Sequence, residues 1–205
     1  PDPGAAGKAV YEVGAFTRDN AGLFVTTDRD GEFREVVLYR FANKRASALS
    51  GAPPWDANEV VVSDGVKWLA ARFNVEGRDE LRVFDVQSQK EIALPPATAL
   101  PAGSVNGVHF HRKLPDLALS VSSSKGPSQI HSLNPSTGGV EQWTLAFTPA
   151  GTDRSEAPEP EIVRWRSFDG LRISGILHRP APRFTGKRPV LVSIHGGPEG
   201  QAKLG

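Results

Sequence analysis

Residues 67–77 read KWLAARFNVEG, a short β-prone run that ends in a turn containing glycine. Two other stretches follow the same plan: residues 22–28 (GLFVTTD) lead into the turn at 28–31 (DRDG), and residues 116–122 (DLALSVS) lead into the turn at 124–127 (SKGP). Equivalent positions in the three runs are 45 and 49 residues apart. Such a period indicates a fold built from copies of one small β unit.

Each repeated unit contains further strands around its turn. A second strand follows at 36–41, 81–86 and 129–134, and 59–63 is the clearest inner strand. A period near 45 with about four strands is typical of β-propeller blades, although a β-sandwich with irregular hairpins also has short strands and frequent turns. Because the repeat keeps its turn chemistry as well as its period, we predict a mainly β fold with a partial β-propeller of about three four-stranded blades.

The strand at 81–86 (LRVFDV) alternates in a way that predicts one packed face. Propellers usually close with four to eight blades, and closure protects the strand edges. We therefore expect the three blades to be the C-terminal blades of a larger propeller.

Composition excludes several classes of function. The 205 residues are 39% hydrophobic and 23% charged, as in a globular protein, and 24 basic against 23 acidic residues give a net charge of +1. We therefore predict no nucleic-acid partner, and the lack of a long apolar run predicts no membrane partner. The absence of cysteine excludes disulfides and thiol chemistry, and it favours the cytoplasm only slightly over the periplasm.

The chain divides at a segment rich in proline and charge. We predict propeller blades over 1–147, a linker over 148–160 (TPAGTDRSEAPEP), and a separate third part over 161–205. The third part opens with a predicted hairpin around Asp169-Gly170, a strong hairpin signal. Residues 189–194 (PVLVSI) then predict a strand covered on both faces, as in a mixed or parallel sheet.

That strand ends in His195-Gly196-Gly197-Pro198. An acyl-transfer enzyme stabilises the oxyanion of its tetrahedral intermediate with backbone N–H groups, and glycines let the backbone approach the substrate. Pro198 has no N–H, so a donor would have to precede it. A tight turn after a strand uses the same residues, and the tetrapeptide alone leaves both interpretations open.

The last third of the chain combines Phe168, Asp169, Gly170, Ile173, Gly175, Leu177, the run 189–198 and Gln201. These residues resemble the motifs of the prolyl oligopeptidase family of serine peptidases, most closely its acylaminoacyl-peptidase-like branch. A turn at 27–33 (TDRDGEF) is similar to one common in the propellers of that family.

The resemblance implies that 161–205 is the truncated start of an α/β-hydrolase catalytic domain, whose propeller cap restricts substrates to short peptides. By position, Gly197 would supply an oxyanion-hole N–H, Gly196 would shape the loop, and His195 would position the loop rather than take part in the chemistry. In this fold the Ser, Asp and His of the triad follow the oxyanion strand. The sequence has no Gly-x-Ser-x-Gly, so we expect the triad to be absent from this chain and the chain alone to be inactive.

The partners that follow are short peptide substrates and the remainder of the hydrolase domain or a complementary chain. No cofactor and no metal is predicted: His109 and His111 share a strand face, but no third ligand is apparent. Two alternatives remain open. The chain could belong to a propeller-based binding or scaffold protein with a vestigial hydrolase-like tail, or to an esterase with the same loop.

Overall fold

The structure is a computed structural model, and it describes residues 9–49, 51–94, 100, 103–147, 149, 151, 156–197 and 200–205. Fourteen β-strands form in this part of the chain, and they lie in four antiparallel sheets. The same residues contain no helix, and hence none long and apolar enough to cross a membrane. The predicted mainly β architecture is therefore confirmed.

Three of the sheets are four-stranded meanders whose strands neighbour one another in chain order. The first contains β1 (Tyr11–Phe16), β2 (Gly22–Thr27), β3 (Glu35–Arg40) and β4 (Arg45–Ala48). The second contains β5 (Ala57–Val62), β6 (Trp68–Val75), β7 (Arg78–Asp85) and β8 (Lys90–Ile92). The third contains β9 (Ser104–Phe110), β10 (Leu117–Ser123), β11 (Gly126–Leu133) and β12 (Val140–Gln142).

These sheets are the three blades that the repeat predicts. Neighbouring blades meet at their first strands, since β1 contacts β5 and β5 contacts β9. The middle strands are joined by the glycine-containing turns of the repeat, and the first turn is closed by a hydrogen bond of 3.2 Å from the Gly31 N–H to the Asp28 carbonyl. In the second blade the turn lies at Glu76-Gly77, where both residues have a positive φ.

The hydrophobic core lies between the blades in two clusters. The first joins the first and second blades through side chains such as Phe24, Leu38 and Phe73. The second joins the second and third blades, for example Val83 with Leu117. Because successive side chains on a strand point to opposite faces, a blade between two neighbours is buried on both sides.

The second blade corrects one expectation from the sequence. Alternation over 81–86 predicts a single packed face, yet both faces of this strand are packed. Leu81 and Val83 contact the second cluster, whereas Phe84 and Val86 contact the first. Arg82, one of the polar residues that produced the alternation, is one third exposed and pairs with Glu91 at 2.8 Å.

The fourth sheet is the hairpin predicted around Asp169-Gly170. It consists of β13 (Glu161–Arg166) and β14 (Arg172–Leu177), paired in register along their length. Gly170 has a φ of +85°, a conformation that glycine adopts without strain. The Leu171 N–H donates to Asp169 Oδ1 at 3.1 Å, which fixes the turn.

The run 189–194 differs from its prediction. It forms no strand here, and its apolar side chains are exposed, Leu191 to 94%. A strand requires a neighbour to receive its backbone hydrogen bonds, and none of the strands in the described part of the chain lies beside it. The expectation that both of its faces are covered is therefore wrong for this structure.

Candidate functional site

The three candidate oxyanion-loop residues, His195, Gly196 and Gly197, lie together in an exposed loop. His195 Nδ1 is 2.8 Å from the Gly196 carbonyl oxygen, so the tautomer with a proton on Nδ1 donates to it. Gly200 packs closely on the same carbonyl, and a Cβ at Gly200 would collide with that oxygen. Gly196 and Gly200 are therefore in direct contact.

The loop is open towards one side. A Cβ at Gly196 would meet no described atom within 4 Å, so the backbone there is accessible to another molecule or chain segment. Pro198 lies outside the described residues, as do 152–155 of the predicted linker.

The segment that follows the loop is docked on the propeller. The Leu204 N–H donates to the Gly77 carbonyl at 2.9 Å, and the Ser104 hydroxyl donates to the Leu204 carbonyl at 2.6 Å. Leu204 is only 8% exposed. Residues 203–204 thus lie between the turn joining β6 to β7 and the start of β9, at the junction of the second and third blades.

Beside this docked segment lies a network of four charged side chains. Asp79, whose side chain is fully buried, accepts from Arg72 Nη1 at 2.9 Å and from Lys203 Nζ at 3.1 Å. Arg72 Nε also donates to Glu59 at 3.1 Å. The carboxylates accept backbone N–H groups of β9 as well, from Val105 to Asp79 and from Val108 to Glu59, both at 3.1 Å.

The hairpin contacts the same turn of the second blade. Arg164 on β13 donates two hydrogen bonds to Glu76. Hydrogen bonding from Arg164 is the main reason that the pKa of Glu76 lies below its ordinary value. Ile176 on β14 lies over Gly77, where an added Cβ would be 3.5 Å from its Cδ1. A third contact joins Lys125 in the third blade to Glu159 at 3.0 Å.

The remaining candidates from the sequence do not converge on a site. Nδ1 of His111 accepts the Lys113 and Leu114 N–H groups, which makes it a turn residue. Within the described residues, no group of three or more His, Cys, Asp or Glu side chains could hold a metal ion.

Sequence inspection missed Asp79, Ser104 and Lys203, which form the contacts between the propeller and the segment after the loop. Asp79 and Lys203 are 124 residues apart, and neither belongs to a motif. Asp79 lies in a strand that also carries Arg78, Glu80, Arg82 and Asp85, so no local signal distinguishes the buried carboxylate from its charged neighbours.

Comparison with solved structures finds this arrangement of strands in larger peptidases. Puromycin hydrolase is 19% identical over 87% of this chain and 27% of its own length, with a TM-score of 0.68. Prolyl oligopeptidase B from Galerina marginata, bound to a 25-residue macrocyclization substrate, is 13% identical over 82% of this chain and 23% of its own length, with a TM-score of 0.67. A structure from a study of two prolyl endopeptidases is 21% identical over 81% of this chain and 24% of its own length, with a TM-score of 0.63.

This likeness establishes the fold of the chain as a partial β-propeller. The chain spans about a quarter of the length of these structures. No protein-family model and no curated protein sequence matches it.

Proposed function

We propose that the chain is part of a propeller-capped serine peptidase of the prolyl oligopeptidase family, which hydrolyses short peptides through an acyl-enzyme intermediate. The observation that carries this proposal is the order of parts along one chain. Three propeller blades are followed by a hairpin and then by a His-Gly-Gly-Pro loop, and the blades share their fold with peptidases of that family.

In this proposal the loop stabilises charge. As the serine of the complete enzyme attacks the peptide carbonyl, the carbonyl oxygen becomes negative, and the N–H of Gly197 donates to it. Gly196 leaves the backbone accessible, and the ring of His195 holds the Gly196 carbonyl. A donor fixed in place before the reaction stabilises the tetrahedral intermediate without further reorganisation.

The decisive experiment compares two substitutions at one position in the full-length protein that carries this chain. Gly197→Ala keeps the N–H, whereas Gly197→Pro removes it. We expect Gly197→Pro to lower kcat for a peptide p-nitroanilide by about 10²–10³-fold, the usual cost of losing one oxyanion donor. Gly197→Ala should retain most of the activity, and far-UV circular dichroism checks that both variants are folded. Equal activity in the two variants would exclude Gly197 as the donor.

A serine-directed fluorophosphonate separates the peptidase from the open alternatives. Covalent labelling of the full-length protein, together with peptide turnover, supports the proposal. A folded full-length protein that binds peptides but is neither labelled nor active would instead favour a binding module with a vestigial tail. Turnover of small esters without turnover of peptides would favour an esterase.

The 205-residue chain by itself should be inactive. It contains no Gly-x-Ser-x-Gly. The nucleophile of an α/β-hydrolase lies on a turn between a strand and a helix, whereas Ser193 lies within the apolar run before the loop. Turnover of a peptide p-nitroanilide by the purified chain, abolished by the fluorophosphonate, would contradict this expectation.

A further inference from the structure

We infer that the junction between the second and third blades anchors the chain just after the candidate oxyanion loop, and that Asp79 is a positioning residue for that loop. The inference rests on the proposed function, because it concerns the placement of the same loop. It assigns to the propeller a role in aligning the oxyanion donor, through one buried carboxylate.

Charge balance at the junction requires Lys203. The network contains two carboxylates, Glu59 and Asp79, and only one cation from the propeller, Arg72, which both carboxylates share. A buried carboxylate without full compensation is unfavourable, since removal from water is not offset by a partner. Lys203 supplies the second cation at 3.1 Å from Asp79 and makes the four-membered network neutral.

The backbone contacts give this ion pair a defined geometry. The N–H and carbonyl of Leu204 are both bonded to the propeller, to the Gly77 carbonyl and the Ser104 hydroxyl respectively. Gly77 leaves the necessary space, because a Cβ there would be 3.0 Å from the Ala202 carbonyl oxygen. The ion pair of Lys203 and the two backbone hydrogen bonds of Leu204 together fix both the position and the orientation of residues 203–204 on the propeller.

The anchor lies close enough to act on the loop. Lys203 follows Gly197 by six residues, and Gly200 between them packs on the Gly196 carbonyl. A displacement of the anchored residues therefore reaches the loop through this contact. Small misplacements of catalytic groups are costly, with about 1 Å corresponding to as much as 10²-fold in rate.

The first measurement tests the anchor independently of activity. In the full-length protein, Lys203→Met keeps the length of the side chain and removes its charge, Lys203→Arg keeps the charge, and Lys187→Met is a matched control at an exposed position. Hydrogen exchange at the Leu204 amide, read from overlapping peptic peptides, should accelerate about tenfold in Lys203→Met through easier local opening. Lys203→Arg and Lys187→Met should resemble the wild type, and unchanged exchange in Lys203→Met would overturn the inference.

The second measurement tests the effect on the loop. Lys203→Met should lower kcat for a peptide substrate about tenfold while KM changes less than about twofold, and Lys203→Arg should restore most of the rate. Faster exchange with an unchanged kcat would overturn the positioning role. An inactive wild type would refute the proposed function, whereas the exchange result would still establish or refute the anchor.

Discussion

Arg164 on the hairpin donates from Nε to Oε1 of Glu76, 88 residues earlier in the chain, at a distance of 2.9 Å. The contact links β13 to the turn between β6 and β7, the same turn whose Gly77 receives Leu204. One turn of the second blade therefore holds both the hairpin and the segment after the loop. The lowered pKa of Glu76 offers a local probe of this arrangement.

The contact of Glu76 with Arg164 should weaken in acid. The folded-state pKa of Glu76 lies below its ordinary value of 4.5, chiefly because of the hydrogen bond from Arg164. The stabilisation is therefore complete above the unfolded-state pKa and is lost as the pH falls through the folded-state pKa. An NMR titration of the Glu76 carboxyl should show its pKa rising towards 4.5 in Arg164→Gln. Arg166→Gln, at an exposed position on the same strand, is the control, and an equal rise in both variants would contradict the assignment.

Substitution of Gly22 should destabilise the first blade. A Cβ at Gly22 would lie 2.5 Å from the Tyr39 carbonyl oxygen, a backbone atom of the neighbouring strand that cannot move without disturbing the sheet. We expect Gly22→Ala to lower the free energy of unfolding by about 1–3 kcal/mol, measured by urea denaturation. Gly31→Ala introduces the same methyl group where no described atom lies within 4 Å, and it should have little effect. A loss no larger than that of Gly31→Ala would show that the strands can separate to admit the methyl group.

Truncation of Leu69 should open a cavity between the first and second blades. Leu69 is fully buried in the first cluster, so Leu69→Ala should reduce the free energy of unfolding by about 2–5 kcal/mol. Leu191→Ala removes the same atoms from a side chain that is 94% exposed, and its effect should stay within about 0.5 kcal/mol. Similar losses for the two variants would indicate that 189–194 is packed in solution.

The exposed run at 189–194 should drive self-association of the 205-residue chain. Six consecutive residues rich in β-branched and apolar side chains, without charge, form a segment prone to pair with other strands. We expect Leu191→Lys to reduce concentration-dependent association, measured by sedimentation velocity, without lowering the melting temperature. Leu171→Lys, on the exposed side of the hairpin turn, is the control for added charge. A wild-type chain that stays monomeric at every concentration would contradict the prediction.

Most of the fold could be predicted because its signals are local. The 45–49 residue repeat, the glycine-containing turns and the Asp169-Gly170 hairpin each depend on neighbouring residues, and the structure confirms the blades and the hairpin that they predict. The errors arose where a strand depends on distant partners. Alternation at 81–86 concealed a second packed face, and the apolar run at 189–194 predicted a strand that has no neighbour among the described residues.

The candidate site also has one part that can be predicted from the sequence and one part that cannot. The His-Gly-Gly-Pro motif can be recognised in the sequence because access of the backbone to a substrate depends on the glycines themselves, and the roles of Gly196 and Gly197 stay predictions. Local sequence is enough to specify the repeat, the turns and this motif. The contact between Asp79 and Lys203, which are 124 residues apart, depends instead on how two blades pack and on where the chain returns, and these follow from the folded structure. A buried charge indicates that a partner exists, and three-dimensional packing selects which residue it is.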